Sequence, residues 1–378
     1  MYIIGSSQTK FGNSEAGFDE MMYKVIEGSL SDAHIEPHDI EAFILSNNLN
    51  YYTENQSHSS AIIPSLLGIN NATVFSSEAA CGAAGVAFTK ACNLLSSYDP
   101  IMIVGVEKMS NHSTSDMLYF VGTDSDRELE QREGLIFPAA GALIADLYMK
   151  KYKITLKDLA LISLKNHDNG KLNPYAQFYG KEVTLQMIEE SPVICSPLRL
   201  FDCSANSDGA VAVIISNKYR RKSDIKIKAT YATSFDLATF GKENPIDFSS
   251  ITYVAKQLFK KAGLKPKDID IAEIHDGFSI MEMIISEYIG FFEIGKSKYS
   301  VRNGETTRKG KFPINTTGGL KACGHPLGAS GLRQIHDLKR QIQGKAGANQ
   351  VENVNKAFAF NFGSIFKSIS ATILEKNV

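Results

Sequence analysis

Two segments far apart in the chain each set one reactive side chain among small residues. The first is Glu78-Ala79-Ala80-Cys81-Gly82-Ala83-Ala84-Gly85. Small residues let a backbone make a tight strand-to-helix turn. A cysteine at a helix N-terminus meets unpaired N–H groups and the positive end of the helix dipole, and both favour thiolate. Thiolate near neutral pH is a nucleophile that can take an acyl group. Elsewhere a buried cysteine behaves as a small hydrophobe; Cys92, on the interior of the following helix, reads that way. The second segment, NTTGGLKACGHPLGASG at 315–331, carries Cys323, Gly324, His325 and Pro326. Pro326 suits an early helical position, where no N–H is needed. His325 is therefore held just outside a helix start. Imidazole there can accept a proton from a thiol or hold an oxyanion; the alternative is a histidine that caps a turn.

Two further segments offer polar groups at strand exits. Glu273-Ile274-His275-Asp276-Gly277-Phe278 directly follows a strand expected at 269–274. Ligands of open α/β sheets bind at such exits. His275 there holds a water or a substrate carbonyl oxygen, or else serves as a hydrogen-bonded structural histidine. Asn361-Phe362-Gly363-Ser364 leaves another buried strand. The N–H of Gly363 can join that of Cys81 in an oxyanion hole, although a glycine after a strand is also an ordinary turn.

The elements that must position these groups read as alternating strands and helices. Strands are expected at 2–4, 42–45, 100–106, 209–216, 225–232, 269–274, 358–360 and 368–374, and helices at 18–33, 82–95 and 249–262. This alternation implies an α/β fold with mostly parallel sheets. The stretch 111–197 is richer in polar and aromatic residues and reads as an inserted loop domain. CGAAGVAFTKACNLL, from Cys81, also lies over LGASGLRQIHDLKRQI, from Leu327. Each opens an amphipathic helix and is followed by a buried strand, IMIVGVE or KAFAFNFG; the strands GAVAVIIS and SISATILE then correspond. A duplicated unit places its two equivalent loops at equivalent positions in each half. The halves are read as 1–216, including the loop domain, and 217–378.

Composition limits the alternatives. With 378 residues, 43% hydrophobic and 21% charged, the chain can bury a large core without a disulfide or metal staple. Forty basic residues balance 41 acidic ones, which argues against a general nucleic-acid binder; the basic run 218–228 reads as a solvated turn. Five cysteines without a CxxC pair fit the reduced cytoplasm better than a disulfide framework or zinc ribbon, so no metal site is expected. Met1 to Gln8 shows no signal-peptide pattern, and the final Lys376-Asn377-Val378 is not a peroxisomal address. No apolar run approaches the roughly 20 residues needed to span a bilayer.

Together these segments resemble the thiolase superfamily, and more narrowly its sterol-carrier-protein-type and archaeal-type branches. EAACGAAG is similar to the nucleophile loop, AGLKPKDIDIAEIHDGFS to the segment with the HD-x-F histidine, and GGLKACGHPLGASG to the general-base loop. KNHDNGKLNPYAQF and SPLRLFDCSANSDGAVAV also resemble this branch. The resemblance implies a five-layer α-β-α-β-α fold, homodimers or tetramers, and coenzyme A thioesters as substrates with no tightly bound cofactor. It implies that an acyl-CoA acylates Cys81 while His325 takes the proton. His275 and His325 would share one oxyanion hole, and the N–H groups of Cys81 and Gly363 would form another. One departure stands out. Thiolases carry a second cysteine for proton transfer at the α-carbon, at the position of Asn361 in one branch and of Gly277 in the other. Cys323, two residues before His325, is the candidate acid/base in its place. The departure leaves three readings: an acyl-CoA C-acyltransferase, a biosynthetic C-acyltransferase subunit acting on a carbon acceptor not attached to coenzyme A, and a non-catalytic scaffold that binds CoA thioesters. Thiolase-like subunits of the second kind work with a small zinc-ribbon/OB-fold partner.

Overall fold

The structure is a computed structural model that describes residues 1–219, 221–240 and 244–377. Arg220 of the basic run and the terminal Val378 lie outside the described residues. The main sheet contains β1 (Tyr2–Gln8), β2 (Ala42–Ser46), β3 (Thr73–Ser77), β4 (Ile101–Glu107), β5 (Gly209–Ser216), β6 (Ile225–Ser234), β7 (Ile271–Ile274), β8 (Lys356–Gly363) and β9 (Ser368–Glu375). The longer helices are α1 (Phe18–Ala33), α2 (Ala83–Leu94), α3 (Thr114–Gly122), α4 (Phe137–Tyr152), α5 (Leu156–Gly170), α6 (Ser249–Ala262), α7 (Ser279–Ile289) and α8 (Ser330–Ile342).

Strand order is β3-β2-β4-β5-β1-β6-β9-β8-β7. Beyond β7, Ala272 forms a parallel bridge to Ile314. Read outward from the β1–β6 junction, the two sides match. β1 and β6 each pair antiparallel with the last strand of their own side, β5 and β9. Those pair antiparallel with β4 and β8. The next neighbours, β2 and β7, are parallel, and so are β3 and the Ile314 bridge. The duplication expected from the two Gly-rich helices thus extends across the main sheet. The junction itself is slight: Tyr2 opposite Lys226 and Ile3 opposite Ile225.

Three large apolar cores join five layers, the central one reaching both halves of the sheet. One lies between α1 (Met21, Met22, Val25, Ile26) and the outer face of the first half of the sheet. The central core joins α2 and α8, through Phe88, Leu332 and Leu338, to strands of both halves. The third joins the second half of the sheet to α4, α5, α6 and α7. Burial of each helix stripe is what makes these amphipathic segments hold. α6 shows the pattern plainly: Ile251, Val254, Ala255, Leu258 and Ala262 are buried, and the helix stops at left-handed Gly263.

One expectation needs correcting. The sheet is mixed rather than mostly parallel. β8 and β9 are joined by a short turn, and a turn of that length permits only antiparallel pairing. The duplication repeats this arrangement in the other half. The 111–197 stretch, read as an inserted loop domain, carries α3, α4 and α5. Its α4 is anchored by Tyr148, whose hydroxyl donates to the carboxylate of Glu287 on α7.

Candidate active site

The symmetry of the fold decides where the reactive loops meet. The β3–α2 turn carries Cys81, and its counterpart between the Ile314 bridge and α8 carries His325. β7 and β8 run in parallel with Ile274 opposite Phe360, so His275, just past the end of β7, lies beside Asn361 within β8. The His275 N–H donates to the Phe360 carbonyl at 3.0 Å.

Cys81 sits in one 3-10 turn, Ala80–Gly82, and is buried. Ala80 is left-handed with φ 51°, a conformation a non-glycine residue rarely takes. Its N–H donates to Glu78 Oε1 at 2.6 Å. Such local strain persists only where surroundings hold it, and here the contact with β8 does so. A Cβ on Gly82 would lie 2.6 Å from the Gly363 nitrogen, and one on Gly363 would lie 2.0 Å from the Ala79 carbonyl oxygen. Backbone meets backbone with no room for a methyl group. We expect Gly363→Ala to destabilise the protein by about 2 kcal/mol, the usual cost of overpacking. A denaturant midpoint equal to that of the wild type would contradict this contact.

The backbone N–H of His325 donates to the Ala205 carbonyl (3.0 Å) and to Ser207 Oγ (3.1 Å). Its ring Nδ1 lies 2.7 Å from Ser330 Oγ, and that hydroxyl donates its hydrogen to the Pro326 carbonyl at 2.8 Å. With the serine hydrogen committed, Nδ1 must carry the imidazole proton and Nε2 keeps its lone pair. The loop is held from the other side by Glu107. This buried carboxylate accepts from the N–H groups of Gly328, Leu49 and Asn48.

His275 is buried with its ring edge-on to His325, centroids 4.9 Å apart and planes at 89°. Phe362 also packs against it, with ring centroids 4.2 Å apart. Cys81, His275 and His325 all line one cavity of about 110 Å³. The rest of its wall is largely apolar: Met117, Leu118 and Val121 from α3, Phe137 from α4, and Phe278 and Leu327. Phe137 stacks on Phe278 at 5.6 Å. Phe278 in turn fills the space of a missing side chain on α4, since a Cβ on Gly141 would meet its ring at 2.4 Å.

Burial dominates the electrostatics. It raises the Cys81 thiol well above its ordinary range, and the Asp124 and Glu107 carboxylates push it further. This outweighs the thiolate-favouring effect expected of a helix N-terminus. Burial and the Arg333 guanidinium bring His325 down to about 3. Burial, then His325, Arg333 and Lys321, hold His275 well below the usual imidazole range. The resting site therefore contains a neutral thiol and two neutral imidazoles. Arg333 is itself buried, with Nη1 2.6 Å from Asp337 and 3.3 Å from Glu273.

The remaining candidates fall in different places. Gly363 packs against the Cys81 turn, while its neighbour Phe362 faces the cavity. Cys323 does not line the cavity. Its Sγ donates to the Thr317 carbonyl at 3.1 Å and is 4.0 Å from Arg333 Nη1, in the buried polar layer beneath the histidine. The placement removes the geometric basis for an acid/base role at Cys323. Cys203, Ser204 and Asn206 do line the cavity, and sequence reasoning did not select them. Cys203 bridges antiparallel to Phe278, and Ser204 N–H donates to the Gly277 carbonyl at 2.9 Å. Their one signal was the motif-like run SPLRLFDCSANSDG just before a strand. Among the described residues, no group of three or more His, Cys, Asp or Glu is placed to hold a metal, and no helix is long and apolar enough to cross a membrane.

Comparison with known proteins accords with this arrangement. The thiolase N-terminal domain matches residues 1–218, and the thiolase C-terminal domain-like family matches 232–376. The chain is 36% identical to acetyl-CoA acetyltransferase of Methanothermobacter thermautotrophicus, over 96% of this chain and 95% of that protein. It is 30% identical to sterol carrier protein 2 of Bos taurus, over 96% of this chain and 70% of that one. The solved structure of the Ltp2-ChsH2(DUF35) aldolase has the same fold, with a TM-score of 0.85 at 22% identity over 99% of this chain and 97% of that one. The chain belongs to the thiolase family.

Proposed function

We propose that the protein is an acyl-CoA C-acyltransferase that carries its acyl group as a thioester on Cys81, with His325 as general base. The observation that supports this most directly is the shared cavity, in which the Cys81 thiol and two imidazoles face an apolar space suited to an acyl chain. Its 36% identical relative is named an acetyl-CoA acetyltransferase, which fits a CoA thioester as substrate. In the first step Cys81 Sγ attacks the thioester carbon while its proton passes to His325 Nε2. Coenzyme A leaves as a thiolate and recovers that proton, so that free CoA and acyl-Cys81 result. The Nε2–H of His275 supports the oxyanion of the incoming unit, and the N–H groups of Cys81 and Gly363 support that of the acyl-enzyme. In the second step an acceptor carbon that has lost a proton or carbon dioxide attacks the acyl-Cys81 carbonyl; the C–C bond forms as the C–S bond breaks, and Cys81 leaves as a thiolate that takes up that proton or one from water.

That second step favours one narrower reading. No thiol stands at 277 or 361 to remove an α-proton. An acceptor that is already electron-rich, or one made nucleophilic by loss of carbon dioxide, needs no such group. This supports a biosynthetic acyltransferase acting on an acceptor not attached to coenzyme A. A homodimer or tetramer, and a small zinc-ribbon/OB-fold partner subunit, belong to the same proposal; the aldolase of like fold carries DUF35 in its name. The test is intact-mass screening with acetyl-CoA beside an acetoacetyl-CoA cleavage assay. An adduct with cleavage indicates thiolysis, and an adduct without cleavage the biosynthetic reading. No adduct with any acyl-CoA would leave a scaffold role.

The empty thiol position is open to direct test. A Cβ on Gly277 would meet only His275, at 3.5 Å from Nε2, an ordinary contact. A cysteine there has room and points at the catalytic imidazole. We expect Gly277→Cys to raise acetoacetyl-CoA cleavage by about 10²-fold, the lower size of a general acid–base contribution. An unchanged rate in a folded variant would show that the missing thiol is not what limits the reaction.

A further inference from the structure

Asn361 occupies the position where a two-cysteine thiolase would carry a thiol, and its side chain is fully engaged. Its Oδ1 accepts from the Gly85 N–H on α2 at 3.2 Å. Its Nδ2 donates to the Cys81 carbonyl at 3.2 Å and lies 2.8 Å from His275 Nδ1. The first two partners are backbone groups with fixed roles, one donor and one acceptor. They allow a single orientation of the amide, because a flip would set NH₂ against N–H and oxygen against oxygen. The amide NH₂ therefore faces His275, and Nδ1 of that ring can only accept.

We propose that Asn361 is a positioning residue that fixes the tautomer of His275 with the proton on Nε2, making His275 a donor and leaving His325 as the only base of the pair. The assignment rests on the acyl-transfer reading for its purpose, but not for its geometry. A second observation supports it. Both helices that start at the reactive loops carry glycine where they meet this amide. A Cβ on Gly331 of α8 would lie 2.6 Å from Asn361 Oδ1, and one on Gly85 would lie 3.0 Å from it and 2.0 Å from Ser370 Oγ. The two halves of the duplicated fold thus close around one side chain. Serine at 330 sets the opposite tautomer on His325. Two edge-on neutral rings, one donor and one acceptor, can take a thiol proton in the first step and hold the oxyanion of the incoming unit in the second. With like tautomers, one of those tasks would have no group to perform it.

Nitrogen-15 NMR of the whole protein labelled at histidine tests this. Eight histidines are present, and His275→Gln identifies the relevant signal by its loss. The expected wild-type spectrum shows His275 protonated at Nε2 and His325 at Nδ1. A carboxylate accepts rather than donates, so Asn361→Asp is expected to move the His275 proton to Nδ1. Acetoacetyl-CoA cleavage, in which the departing acetyl-CoA enolate oxygen lies at His275, should then slow about 10- to 100-fold, while acylation by acetyl-CoA, whose oxyanion meets the Cys81 and Gly363 N–H groups, changes little. Asn361→Ala should leave a mixture of tautomers and a smaller loss. A wild-type His275 protonated at Nδ1 would overturn the proposal even if no variant folds. So would an Asn361→Asp protein that keeps the wild-type tautomer and rate. A wild-type protein that forms no acyl adduct would remove the acyl-transfer reading instead, and the tautomer would still decide this one.

Discussion

Cys81→Ser is expected to leave no acyl adduct after incubation with acetyl-CoA. The cysteine is held in a turn whose backbone contacts leave no slack: Ala79, Gly82 and Gly363 pack backbone to backbone. Serine would fit this space, so loss of the adduct would report chemistry rather than misfolding. An alcohol is a far weaker nucleophile than a thiol at neutral pH, so acylation of the serine variant should fall below detection. The other thiols should not substitute. Cys92 and Cys323 are buried and neither lines the cavity. Cys203 does line it, but its Sγ donates to the Arg199 carbonyl at 3.5 Å. Peptide mapping of the wild-type adduct should therefore find the acyl group on residue 81 alone. An undiminished adduct on the serine variant, or one on Cys203, would defeat the assignment of the nucleophile.

The site was legible in the sequence to the extent that it lies in short glycine-bearing loops. Cys81 and His325 each stand at the start of a helix within a repeated pattern, and the fold repeats that pattern strand by strand. Asn361 shows the limit. In sequence it marked only a missing thiol. Its three hydrogen bonds join residues 81, 85 and 275, and no local pattern brings these together. Cys203 was missed for a similar reason: its place at the cavity depends on pairing with Phe278, more than 70 residues away. Strand direction was also misread. A buried apolar run such as GAVAVIIS reads alike in parallel and antiparallel sheets, and the deciding feature was the short β8–β9 turn.

His325→Ala should slow acylation by at least about 10²-fold, with a pH profile that separates this site from an ion-paired one. The argument begins with the resting charges. Cys81 is raised above its ordinary 9.0 and His325 is lowered from 6.5 to about 3, so the pair rests as thiol and imidazole. The proton therefore moves as the carbonyl is attacked, and removing the imidazole removes its only acceptor within the pair. The sign of the pH dependence follows. His325 stays unprotonated, and so able to act as base, down to about pH 3; the thiol keeps its proton through neutral pH. The wild-type acylation rate should not fall from about pH 8 to about pH 5: His325 stays neutral there, and Glu107 and Asp124, both raised to about 7, only lose charge that opposes the thiolate. A thiolate–imidazolium pair would instead lose activity as the thiolate is protonated at low pH. An alanine variant that acylates at the wild-type rate in stopped-flow measurements would refute the base assignment. A wild-type acid limb centred near 6.5, the ordinary imidazole value, would refute the resting charge state.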